Sequence, residues 1–183
     1  MISEKELYIL SYYWACELSG SLLYGKLALR TTIDEYRQPL TQHSMEEARH
    51  SSLWAKVIKD LGHAPLKVAQ TYQKEYGKII GIPKNILEIF CITQVFEERV
   101  LDHYIKHLKL PGTHPIVKET LQRVIDDESG HIGWIETELN KYAKQNGQEA
   151  LDKIMNKFRK VDAQIHDNLS KTSPFKEYFK DIL

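Results

Sequence analysis

The strongest constraint in this sequence is a pattern that occurs twice. Glu17, Tyr24, Glu47 and His50 recur as Glu97, Tyr104, Glu128 and His131, at offsets of 80, 80, 81 and 81 residues. Glu47-Ala48-Arg49-His50 and Glu128-Ser129-Gly130-His131 are both Glu-x-x-His. On a helix, positions i and i+3 share a face, so a carboxylate and an imidazole can reach one metal ion. A single such tetrad is a weak signal, because 16 Glu and 8 His in 183 residues yield about 0.7 of them by chance. An ordered repeat of four residue positions is a much stronger one. It predicts two helix pairs related by a pseudo-two-fold, bringing four carboxylates and two imidazoles to the middle of a bundle.

The rest of the chain supports helices. Only 9 Gly and 6 Pro occur, too few for the turns of an all-β fold. Breakers cluster at Gly62-His63-Ala64-Pro65, Gly81-Ile82-Pro83, Pro111-Gly112-Thr113-His114-Pro115, Asn146-Gly147 and Ser173-Pro174. Helical segments are expected at 3–30, about 37–61, 84–109, 115–145 and 148–171. Pro39 either opens the second helix or kinks a longer one. Residues 62–83 are too long for a turn and suit a crossover, with a short helix near Ala69 to Tyr76. The expected architecture is all-α: a four-helix bundle with one long crossover and an additional C-terminal helix. It is read as one domain over 1–183, with the core at about 3–145 and an appendage at about 148–183.

Heptad lanes show what each helix buries. Leu7, Leu10, Trp14, Glu17, Ser21, Tyr24 and Ala28 share one lane. A second holds Leu40, His43, Glu47, His50, Trp54, Val57 and Leu61, and a third Val117, Leu121, Val124, Glu128, His131 and Ile135. All are apolar except in the middle, where the repeat residues sit. Burying one unpaired carboxylate costs several kcal/mol, against a net stability of only about 5–15 kcal/mol. Four in one layer need cations, and two divalent ions would neutralise them.

This set resembles the carboxylate-bridged di-iron proteins of the ferritin-like superfamily, which include rubrerythrins, bacterioferritins, di-iron oxygenases and tRNA hydroxylases. The resemblance covers residues 3–145. It implies a metal site of Glu17, Glu47, His50, Glu97, Glu128 and His131, with Glu47 and Glu128 bridging and Glu17 and Glu97 terminal. It implies two iron ions, and the same donors also accept manganese or a mixed iron–manganese pair. Haem is not expected, since Ala48 stands where bacterioferritin-like proteins carry a haem-ligating Met. Glu46 and Asp127 resemble the acidic residue before Glu-x-x-His, and Arg49 the Arg of that motif. Gly130 breaks the pattern in the second copy.

Other residues have narrower readings. Tyr24 and Tyr104 are candidate catalytic groups, as ligand hydrogen-bond partners or one-electron donors, against a plainer role as core tyrosines. Trp14, Trp54 and Trp134 read as packing, Cys16 and Cys91 as buried thiols, and His43, which shares the lane of His50, as a capped or surface imidazole in preference to one lining the site entrance. His103 and His107 have metal-binding i,i+4 spacing with no evident third ligand. Glu98 competes with Glu97, because both lanes are apolar and only the repeat chooses Glu97.

Charge and composition narrow the function. Lys+Arg and Asp+Glu are 25 each, which argues against a nucleic-acid binder, although a tRNA hydroxylase stays open by resemblance. No apolar run approaches a membrane span. Met1-Ile2-Ser3-Glu4-Lys5-Glu6 lacks a signal-peptide pattern, so a cytoplasmic location is expected. Two cysteines exclude a disulfide scaffold and a rubredoxin-type centre within this chain, so electrons come from a separate donor. The expected activity is a di-iron oxidoreductase using dioxygen or peroxide on a small-molecule substrate, as a monomer or homodimer. The alternatives are a ferroxidase of iron storage and an inert bundle.

Overall fold

The computed structural model describes residues 2–81 and 83–182. Met1, Ile82 of the Gly81-Ile82-Pro83 breaker and Leu183 lie outside the described residues. Among the described residues seven helices follow in order: α1 Glu4–Arg30, α2 Asp34–Asp60, α3 Tyr72–Ile80, α4 Ile86–Lys109, α5 Pro115–Asn146, α6 Gln148–Ser170 and α7 Phe175–Tyr178. No strand occurs among the described residues. The chain divides into two compact units, residues 1–75 and 76–183, with the boundary inside α3.

The first unit is built on α1 and α2. Ser3 caps α1 by accepting from the Glu6 amide at 3.1 Å, and Glu4 and Glu6 place negative charge in the first turn. The second helix starts three residues earlier than the sequence pattern suggested. Asp34 and Glu35 supply its acidic first turn and Asp34 pairs with Arg37, so Pro39 lies inside the helix near its start. There its missing N–H costs a single intrahelical bond. Ser51 Oγ donates to the Trp14 carbonyl and Ser44 Oγ to the Ser21 carbonyl. Residue numbers rise on α1 as they fall on α2, so the pair is antiparallel. The chain after α2 folds back on this unit: the Leu66 amide donates to Ser11 Oγ, and Gln73 donates to the Cys16 carbonyl.

The second unit is built on α4, α5 and α6. Asn85 caps α4 through the Glu88 amide, and Pro115 opens α5 at the position where a missing N–H costs nothing. Gly147 ends α5 and begins α6 with φ of 90°, a conformation glycine adopts without a Cβ penalty. α6 buries Leu151, Met155, Phe158, Ile165 and Leu169 at helical spacing. It runs parallel to α4, as Glu88–Lys157, Arg99–Asp162 and His103–His166 show. Beyond α6, Phe175, Phe179 and Ile182 are buried, so the tail packs as core.

Candidate metal centre

In the first unit, α1 contributes Glu17 and α2 contributes His43, Glu47 and His50, all at most 4% exposed. His43 Nε2 lies 3.1 Å from Glu47 Oε1, and His50 Nδ1 lies 3.7 Å from Glu17 Oε2. The Glu47 carboxylate occupies a space that exists because residue 20 is glycine. A Cβ there would stand 2.5 Å from Glu47 Oε2 and 3.2 Å from its Cδ. Tyr24, also buried, stacks on the His43 ring with centroids 3.8 Å apart and planes inclined by 29°.

His43 corrects the sequence reading of a capped or surface imidazole. It is 2% exposed, because its whole lane faces inward and Glu47, one turn on, engages its ring. The signal was present: His43, Glu47 and His50 fall at i, i+4 and i+7 of one stripe.

In the second unit, α4 contributes Glu97 and α5 contributes Glu128 and His131, all buried. Glu128 Oε2 lies 2.9 Å from His131 Nδ1, and Glu97 and His131 present ligand atoms within 4.8 Å of each other. Tyr104, two turns along α4 from Glu97, is fully buried. Glu98 points elsewhere: its side chain is 42% exposed, accepts from Gln94 and stands 3.7 Å from Arg159. Of the flanking acids, Glu46 accepts from Gln42 on an outer face.

The donor chemistry fits non-haem iron. Carboxylate and imidazole on adjacent helices are ligands of carboxylate-bridged di-metal proteins. The Gly20 cradle is the specific structural sign, since a helix interior gives up roughly 1 kcal/mol for a glycine there. Both cysteines are free and buried, with thiols pushed up to about 12 chiefly by burial.

A family model built on the p-aminobenzoate N-oxygenase AurF matches residues 17–169. The chain belongs to the AurF family. That family comprises ferritin-like di-iron oxygenases, so this chain is an oxidoreductase of the all-α ferritin-like class. AurF-family oxygenases use a non-haem di-iron centre, and buried carboxylate and imidazole groups able to hold metal are present in each unit. The family also implies dioxygen and a small-molecule substrate. No curated protein and no solved structure matches the chain. No helix among the described residues is long and apolar enough to cross a membrane.

Proposed function

We propose that this chain uses dioxygen to oxidise a small organic molecule, with Glu17, Glu47, His50, Glu97, Glu128 and His131 holding two iron ions. One observation carries the reading. Both copies of the Glu…Glu-x-x-His repeat are buried on helix pairs, in a chain of a di-iron oxygenase family.

When bound, ferrous iron supplies the electrons that reduce dioxygen. The chain's residues do the rest. Four carboxylates would balance the charge of two divalent ions, with Glu47 and Glu128 as shared ligands and Glu17 and Glu97 as terminal ones. His43 orients Glu47 through the 3.1 Å contact, and Gly20 leaves that carboxylate its room. Burial keeps bulk water from the ligands and strengthens their electrostatics. Tyr24 and Tyr104 are the candidate catalytic residues, as hydrogen-bond partners of the ligands or one-electron donors. A separate protein delivers electrons. The proposal treats 1–183 as one cytoplasmic domain acting as a monomer or homodimer.

The test is iron content together with turnover. Protein loaded anaerobically with ferrous iron should hold about two ions per chain and retain them as ferric iron after oxygen exposure, in a small species by sizing. Glu97→Ala should lose iron and Glu98→Ala should keep it. AurF itself acts on p-aminobenzoate, so arylamines are the first compounds to screen for N-oxygenation. Absence of bound iron overturns the proposal. A hollow assembly of roughly two dozen subunits filling with ferric ions assigns storage instead.

A further inference from the structure

Outside the candidate centre, the second unit holds a pair of imidazoles that the oxygenase reading does not use. His103 on α4 and His166 on α6 face each other with ring centroids 5.8 Å apart and planes inclined by 44°. The Nε2 atoms of both are shielded from solvent, and His166 Nε2 makes no hydrogen bond. A buried ring nitrogen without a partner gives up roughly 1–3 kcal/mol, which calls for a ligand or a function.

We propose that His103 and His166 form a second metal site, taking one divalent ion of the zinc class through their Nε2 atoms, with water completing its coordination.

The geometry suits that role. With Zn–N bonds of about 2.0–2.1 Å, two imidazoles on one tetrahedral ion have ring centroids roughly 5–6 Å apart. Both rings are available as neutral ligands. Burial, then His166, pushes His103 down to about 3, and burial, then Arg99, lowers His166. The charges acting on the pair are Arg99 and Lys106 against Asp102 and Asp162. Imidazole donors select zinc, copper or nickel over magnesium and calcium.

The surroundings supply support. Phe179 walls His103, with ring centroids 6.4 Å apart. Asp162, one turn before His166, is fixed by Tyr76 and Arg99. A cavity of about 340 Å³ lies between the same two helices, lined by residues that include Arg99, Asp102 and Asp162. Glu97 is six residues from His103, about 9 Å along the α4 axis, which separates this site from the iron ligands. A bound ion would tie α6 to the helix that carries Glu97.

The experiment is a zinc count. The unaltered chain, His103→Asn and His166→Asn are dialysed against zinc chloride. The unaltered chain should bind one zinc per chain more than either variant, and its Tm should rise further with zinc. Equal counts and equal shifts in all three overturn the proposal. Crystals of the unaltered chain soaked in zinc read the same question without substitution. An anomalous peak at the zinc edge between the two Nε2 atoms supports the site, and zinc bound only elsewhere refutes it. Because the counts compare His variants with ligand sets intact, failure here leaves the oxygenase reading standing, and failure of iron binding leaves this one standing.

Discussion

The two copies of the repeat are alike in sequence and unlike in structure. On α1 and α2, two carboxylates share their layer with two imidazoles, because His43 joins His50. On α4 and α5 there are two carboxylates and one imidazole. The residue four before Glu128 is Val124, fully buried, where the first copy has His43. The glycine that makes room for Glu47 also has no counterpart, since Val100 stands 80 residues after Gly20. A repeated ligand pattern therefore does not make two equivalent halves. Helix pairs of the same kind can be tuned separately by what fills the positions one turn from each ligand.

The largest effect should come from the shared feature. Glu47→Ala and Glu128→Ala should each cut bound iron to near zero and activity by more than about 100-fold, beyond the 10–100-fold typical of residues that merely support a metal ligand. Metal analysis and turnover check both. If one variant keeps its iron, the halves differ even in the glutamate of their Glu-x-x-His.

Gly20→Ala sharpens the asymmetry. The added Cβ displaces a flexible carboxylate rather than backbone, so the fold should survive while iron affinity falls about 10–100-fold. Val100→Ala, at the matching place in the second copy, should cost about 1 kcal/mol of stability through lost packing and leave iron affinity unchanged. A ferrous titration alongside thermal melts separates the two outcomes. Equal effects would remove the distinction drawn between the copies.

His43→Val gives the first copy the residue type of the second. Iron affinity should fall by roughly tenfold. A ferrous titration reads the loss, and an affinity equal to that of the unaltered chain would contradict the comparison.

The smallest expected effect separates the units by pH. His103 is held near 3 in the folded chain against 6.5 when unfolded. Between those values the unfolded state binds the extra proton, so stability falls as pH drops from 6.5 towards 3. Hydrogen exchange at pH 4 to 5 should show α4 and α6 opening before α1 and α2, and His103→Leu should weaken that acid sensitivity.

Much of this was legible beforehand. Five helical segments were placed within about three residues of where α1, α2, α4, α5 and α6 lie, and a short helix was expected in the crossover where α3 lies. Period and breakers are local properties of the chain, so sequence carries them. Burial of Glu17, Glu47, His50, Glu128 and His131 followed from lanes that are apolar above and below, whereas only the repeat offset pointed to Glu97. Two tail residues, Phe175 and Phe179, were missed because an aromatic beyond the last long helix gives no periodic signal of its own.

What sequence alone determined, then, is which residue types recur, at what spacing, and on which helical face. Tertiary structure decided how far each helix is rotated about its axis and which neighbour it meets. Glu97 and Glu98 sit about 100° apart on α4, in lanes of equal apolarity. Packing buried the first and left the second beside Arg159. Gly20 reads as an ordinary helix interior until α2 brings Glu47 against it, 27 residues later. The imidazole that neighbours His103 arrives from 63 residues away on α6. No window of periodicity spans such separations, because side chains distant in sequence become neighbours only after the helices have docked.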